Sequence, residues 1–425
     1  MHILIATAGS HGDVAPYTGL GARLHRAGHR VVIATHARSA ELVRRSGLGF
    51  HPLPLDRYAT SGADDKKGNA PGKGGQGAGL SKVEQMRLAR ELAPEMADAV
   101  TEACASGAEV LMFSSSLAPL GLVAAEGLQL PGVGVFLQPL APTGEFPPVI
   151  FDMPSLGPFG NRALGRCAQS LLARAFAPGV RHLQRRLGVT ERALERRGAT
   201  WPIHHGFSPA VVPRPADWRP GMEVTGYWWP SEVPDWTPEA GLADFLQAGP
   251  PPVFVGFGSM APRDPERLGR LLARAFRLAG VRGVVQTSWA GLSVEGDDVL
   301  TVGEVPHAQL FPHMAAVVHH AGAGTTAAGL RAGVPAVPVP MMLDQPFWAS
   351  RLTSLGVSPG RIPFGRLSAE NLAAAVRKAV HDPRYRHRAR QVSALIGTED
   401  GAGRVLATVE QLAGGDHGKG QGPVR

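Results

Sequence analysis

The stretch 317-VVHHAGAGTTAAGLRAGVPAVPVPMMLDQ-345 decides the fold. An apolar run ends at His319-His320, a turn Ala321-Gly322-Ala323-Gly324 follows, and a helix opens at Thr325-Thr326. Strand, glycine turn and helix in that order belong to a parallel α/β sheet. A helix start leaves backbone N–H groups free and carries partial positive charge. Glycines let that backbone come close to a ligand, so the segment reads as an anion site, most naturally for phosphate. His320 at its mouth can add a ring N–H to the same oxygens. The alternative for the glycines alone is strand-on-helix packing.

Outward from this segment the same alternation recurs. At the N-terminus a strand at 3–6 leads into Gly9-Ser10-His11-Gly12-Asp13, a helix over about 15–26 that stops at Gly28, and a second strand at 31–34. Further strands are expected at 110–113, 134–137, 253–256, 283–286, 299–302 and 316–319, and helices at 265–278, 308–314, 369–380, 383–395 and 404–412. The proline-rich stretch 209–229 reads as an extended connector. The expected architecture is α/β, with two doubly wound Rossmann-like domains at 1–215 and 220–400. A helix at 401–413 is expected to pack back on the first domain, with a disordered tail at 414–425.

Composition narrows the function. The 425 residues are 44% hydrophobic and 18% charged, enough chain for two or three domains with sizeable cores. The 54 glycines and 37 prolines show no period, which excludes collagen and solenoid readings. Two cysteines, Cys104 and Cys167, exclude a disulfide scaffold and any Cys-based zinc or iron–sulfur site. The net charge of +8 is mild for this length. MHILIATAGS has no basic n-region, and residues 110–144 are broken by Glu126 and three prolines, so neither a signal peptide nor a bilayer span is expected, and the location expected is cytoplasmic.

The remaining signals are ambiguous or negative. Residues 60–80 hold seven glycines and read as a loop, either a lid or an idle insertion. Residues 162–197 carry nine arginines against Glu191 and Glu195, which reads as a solvated helix face or as a peripheral contact with anionic lipid. No aromatics interleave with them for base stacking, so nucleic acid is not expected as a partner. Gly322, Gly324 and Gly329 miss the dinucleotide spacing. The second strand ends Ala34-Thr35-His36 without an acid for a ribose, and no Ser or Thr follows Lys73 to complete a phosphate loop, so redox and ATPase readings lose support.

Six pieces in order carry a family resemblance: 9-GSHGDVAP-16; the connector from Gly206-Phe207-Ser208-Pro209 through Asp217-Trp218 to Gly226-Tyr227-Trp228; 256-GFGSM-260; 305-VPH-307; 319-HHAGAGTT-326; and 344-DQPFW-348. The chain resembles a two-domain GT-B nucleotide-sugar glycosyltransferase. Within family 1 it is similar to bacterial antibiotic (vancomycin-group) glycosyltransferases and sterol-type glucosyltransferases. The resemblance implies a donor seated on the second domain. His320, the backbone of Gly322, Gly324, Thr325 and Thr326, and the Ser259 hydroxyl would hold the diphosphate, with Ser10 approaching from the other domain. Val305 would offer backbone groups to the base, and Asp344 and Gln345 would bind sugar hydroxyls. Trp289 either packs on the donor or belongs to the core.

An attacking hydroxyl must also lose its proton. The resemblance places the base in the first glycine turn, at Asp13, with His11 as the second candidate; the bland alternative for Asp13 is a helix N-cap. Plant relatives carry histidine at that position and pair it with an acid near residues 114–116, where this chain has none, as suits an aspartate base that needs no partner. No Asp-x-Asp occurs, so the expected reaction is metal-free, inverting, and without a cofactor beyond the nucleoside diphosphate sugar (UDP or dTDP) as co-substrate. The apolar, proline-rich segments 138–150 and 151–159, with 60–80, would wall a pocket for a hydrophobic aglycone. The rivals are a sugar-nucleotide 2-epimerase and a non-catalytic binding protein on the same scaffold.

Overall fold

A computed structural model describes residues 1–54, 82–231, 236–258, 264–287, 292–294 and 296–416. The first sheet comprises β1 (His2–Ala6), β2 (Arg30–Thr35), β3 (Gly49–Pro52), β4 (Val110–Phe113), β5 (Gly132–Phe136), β6 (Ile203–His205) and β7 (Met222–Val224), in the spatial order β3-β2-β1-β4-β5-β6-β7. The second comprises β8 (Val253–Gly256), β9 (Gly283–Gln286), β10 (Val299–Val302), β11 (Ala316–His319) and β12 (Ala336–Pro338), in the order β10-β9-β8-β11-β12. Every pairing is parallel. Parallel strands covered on both faces must be apolar throughout. Ile3, Leu4 and Ile5 meet this requirement, as do Val253, Phe254 and Val255: all six are fully buried.

Strand order reverses once in each sheet, between β1 and β4 and between β8 and β11. In open α/β sheets the crevice at the carboxyl ends of such strands is where ligands bind. The turn Gly9–Asp13 leaves β1 at the first reversal, and His320 leaves β11 at the second. Chain order alone therefore puts both candidate turns at binding crevices.

Some boundaries differ from those expected. The first sheet continues past residue 215 to β7, within the stretch assigned to the second domain, because Met222 and Val224 are buried beside β6. The connector is a core element: Phe207, Val211, Val212, Trp218 and Tyr227 share one cluster with Phe254, Phe311 and Trp348 of the second lobe. The arginine-rich stretch is two helices, Gly157–Leu187 and Glu191–Thr200, separated where Gly188 turns left-handed (φ 67°) and Thr190 caps the Ala193 N–H. The final helix, Gly401–Asp416, lays Val405, Leu406 and Val409 against Val14, Tyr17 and Leu20 of helix His11–Arg26. It keeps residues 414–416 helical where a disordered tail was expected. Residues 417–425 and the 60–80 loop lie outside the described residues. Among the described residues no helix is long and apolar enough to cross a membrane.

Candidate active site

Helix His11–Arg26 starts four residues before the expected 15, so Ser10 rather than Asp13 is its N-cap. Asp13 holds the third helical position. Its Oδ2 accepts from the Ser10 N–H at 2.8 Å and the Ser10 hydroxyl at 2.9 Å. The capping alternative is therefore half right: one oxygen serves the helix start and Oδ1 remains, facing the Gln138 amide at 3.4 Å. The carboxylate folds back over Gly9, where a Cβ would lie 2.4 Å from Asp13 Oδ2 and where φ is +148°. Burial pushes the Asp13 carboxyl above its ordinary value, and the Ser10 and Gln138 donors offset part of the rise.

Across the crevice, β11 ends in the fully buried His319 and the turn carrying His320. The helix Ala323–Arg331 starts two residues before the expected Thr325, with Gly322 as N-cap and no side chain capping it. The N–H groups of Ala323, Gly324 and Thr325 are the ones a helix start leaves free. A Cβ at Gly324 would meet no atom within 4 Å, so this glycine leaves open space in front of the helix end. Gly258 and Gly322 do something else: a Cβ on either would lie 2.9 Å or 2.4 Å from the His320 ring, so they sandwich the imidazole. Burial lowers His320 to about 4, which keeps it neutral at ordinary pH, with one ring nitrogen a donor and the other an acceptor.

Asp344 sits at the N-cap position of helix Gln345–Ser354 without a side-chain capping bond, and accepts from the Trp348 indole N–H at 2.8 Å. Burial first, and then the charge of Asp13, raises it to about 6. Asp13 and Asp344, one from each lobe, lie within electrostatic reach of each other. His307 reports the same closure: burial lowers it to about 4, and His320 and His11 push it further in the same direction. Helix His11–Arg26 also packs against helix Ala323–Arg331, and Phe146 meets Phe347 with ring centroids 5.2 Å apart at one end of the cleft. Arg361 pairs with Asp152 between the lobes at 2.7 Å.

The structure thus gathers Ser10, His11, Asp13, His320, Gly322, Gly324, Thr325 and Asp344 around one crevice. Thr326 is buried, with its hydroxyl unpartnered and its N–H bonded to the Gly322 carbonyl, so of the expected phosphate-facing backbone groups it is the one already used. Gln345 is 7% exposed, and its carbonyl oxygen accepts from the Met341 and Met342 N–H groups, which leaves only its NH2 end for a sugar. Val305 packs on the core cluster beside the helix His307–Leu310. Ser259 and Trp289 lie outside the described residues. Ala321 (φ 62°) and Leu343 (φ 55°) are two of the three non-glycine residues with positive φ among those described, and each adjoins a site residue. Such strain persists where surrounding structure over-determines a functional turn. Of the expected pocket walls, Phe146 faces the cleft, whereas Phe159 is 87% exposed and points outward with Leu156.

Two residues carried no signal as part of the site. Gln138 entered only as part of a wall, because its contact with Asp13 spans 125 positions of sequence. His307 stood in a motif without a role, and the structure shows it stacked on Phe311 at 4.5 Å and bonded to Gln286 Oε1 at 3.2 Å.

Comparison with known proteins gives the family. Residues 3–147 match the glycosyltransferase family 28 N-terminal domain, and residues 284–410 match the erythromycin biosynthesis protein CIII-like C-terminal domain. The chain is 33% identical over 434 residues to O-mycaminosyltylonolide 6-deoxyallosyltransferase of Streptomyces fradiae, covering 97% of this chain and 98% of that one. This chain belongs to the GT-B glycosyltransferases. It is also 32% identical over 422 residues to the sterol 3-beta-glucosyltransferase UGT80A2 of Arabidopsis thaliana, where the match covers 97% of this chain but 66% of the plant protein. The glycosyltransferase SsfS6 of Streptomyces sp. SF2575, complexed with thymidine diphosphate, shares the fold with a TM-score of 0.62 at 21% identity, over 97% of this chain and 99% of that one.

Proposed function

We propose that this glycosyltransferase moves a hexose, with inversion and without a metal, from a nucleoside diphosphate sugar to a hydroxyl of a lipophilic natural product or sterol. The observation that carries the reading is the single crevice that sets the Asp13 carboxylate opposite an uncapped helix start, His320 and Asp344. The acceptor oxygen would bond to the anomeric carbon while its proton passes to Asp13 Oδ1. The bond from that carbon to the diphosphate breaks, and the leaving oxygens gain charge where helix N–H groups and a neutral imidazole donate. Asp344, charged above pH 6, accepts hydroxyls of the sugar. The acceptor class rests on relatives named as a sterol 3-beta-glucosyltransferase and an O-mycaminosyltylonolide 6-deoxyallosyltransferase, and dTDP as donor carrier on the thymidine diphosphate complex of a fold neighbour.

The test is a screen of UDP- and dTDP-sugars by thermal shift, then mass spectrometry of products with sterol and polyketide acceptors, with and without EDTA. Sugar transfer that survives EDTA and falls about 100- to 10,000-fold in Asp13→Asn is expected. An epimerised donor formed without acceptor would replace transfer by the epimerase reading. Wild-type turnover in Asp13→Asn would remove Asp13 as base and leave His11.

A further inference from the structure

The serine run 114–116 ends β4, next to β1 at the reversal of the first sheet. Each hydroxyl has a defined partner. Ser116 donates to the Ala8 carbonyl at 2.9 Å, which tethers the turn that presents Asp13. Ser114 and Ser116 share a hydrogen bond of 2.8 Å. Ser115, buried, donates to Gln138 Oε1 at 3.1 Å, and the other end of that amide donates from Nε2 to Asp13 Oδ1 at 3.4 Å. The carboxylate settles which way the amide points, because only its NH2 end can face a negative oxygen. The Ser115 hydroxyl then has an acceptor in front of it. Ser115, Gln138 and Asp13 form a chain from the sheet's core to the crevice.

We propose that Gln138, oriented by Ser115, is a positioning residue for Asp13: it aims Oδ1, the oxygen that Ser10 leaves free, at the acceptor hydroxyl. This rests on the reading of Asp13 as the base. It replaces the expectation that an aspartate base here needs no partner, since a neutral amide fills that place. At 3.4 Å the contact is long, as catalytic hydrogen bonds often are before substrate is bound. A 1 Å error in such aim costs on the order of 100-fold in rate. An N–H donor also favours the ionised carboxylate, so its loss should shift the acidic limb of the rate profile to higher pH. The other titratable groups around Asp13 are His11 and Tyr17 on its own helix, His36 behind Gly9 and Asp344 across the cleft. The substitutions below leave all of them in place.

The experiment compares Gln138→Leu, Ser115→Ala, Ser115→Thr and Asp13→Asn for kcat, donor KM and the pH profile of kcat/KM, using the donor and acceptor found in the screen. The expectation for Gln138→Leu is a kcat lower by about 10- to 100-fold, an unchanged donor KM and an acidic limb moved upward. Ser115→Ala should move both quantities in the same direction but less, and Ser115→Thr, which keeps the hydroxyl, should restore them. Ser115→Ala carries the test if Gln138→Leu does not fold. Wild-type kcat, or a lowered kcat with an unmoved acidic limb, overturns the positioning role; if Asp13→Asn is inactive in the same series, Asp13 itself stands. Full activity of Asp13→Asn overturns the base assignment instead.

Discussion

Replacing Asp344 by asparagine should stabilise the protein while crippling it. The carboxyl is raised from 3.8 to about 6, chiefly by burial. Each pH unit of such a difference corresponds to about 1.4 kcal/mol between the protonation states, so the charged form is disfavoured in the fold by ~3 kcal/mol. Asp344 keeps some exposure, and solvent screening reduces this to roughly 1–3 kcal/mol. Well below pH 3.8 the group is neutral in both folded and unfolded chains and costs nothing. Between pH 4 and 6 the unfolded chain ionises first, so the wild type loses stability as pH rises; above about pH 6 the loss is complete. Asparagine is neutral throughout and can still accept from Trp348. The Tm of Asp344→Asn minus that of the wild type should therefore be small at pH 4, climb to pH 6, and level off at roughly 2–12 °C, taking about 2–4 °C per kcal/mol. Differential scanning fluorimetry from pH 4 to 8.5 measures it. Turnover should fall about 10- to 100-fold from the lost charged acceptor. A variant Tm at or below wild type at pH 8, or a difference independent of pH, refutes the buried-charge argument.

His320→Ala should weaken donor binding about 10- to 100-fold by calorimetry, the size of a lost hydrogen bond to a charged group. Because His320 is held near 4, affinity should show no loss from its deprotonation between pH 6 and 8; a steep fall centred near 6.5 would mean that an imidazolium holds the phosphates. Gly9→Ala puts a methyl 2.4 Å from Asp13 Oδ2 at a φ of +148°, so the carboxylate must move. Its kcat should drop about 100-fold with donor affinity intact, and an unchanged kcat would show that the position of Asp13 is not critical.

The fold was legible where burial makes strands apolar. Ile3, Ile33, Val110 and Val253 sit in runs that read as strands, and they are strands. The strands that escaped are short or carry polar or proline residues: Gly49–Pro52, Ile203–His205, Met222–Val224 and Ala336–Pro338. Their pairing with a neighbour, not their own composition, makes them strands. His204 and His205 would not be chosen as core residues, yet both are buried, and stacking of His205 on Trp218 at 4.4 Å explains one of them. In the crevice the glycine turns were legible as places where backbone approaches something. Which glycine faces open space (Gly324) and which makes room for a side chain (Gly9, Gly258, Gly322) is a matter of three-dimensional neighbours alone. The bond of Gln138 to Asp13 is invisible for the same reason.

The distribution of charge along the crevice fits the proposed displacement. Asp13 and Asp344 face one another across the lobes, and each is disfavoured as an anion by burial. Two desolvated carboxylates within electrostatic reach of each other favour whatever brings positive character between them. Displacement at an anomeric carbon does this, since the sugar ring gains positive charge as its bond to phosphate lengthens. The negative charge it sheds moves the other way, toward the free N–H groups of Ala323–Arg331 and the neutral His320. Under the proposed reaction the site would be polarised along the bond to be broken, anionic at the sugar and electropositive at the leaving group. Its electrostatics suit the separated charges of the transition state better than the intact donor, which is the condition for accelerating the step rather than only binding the substrate.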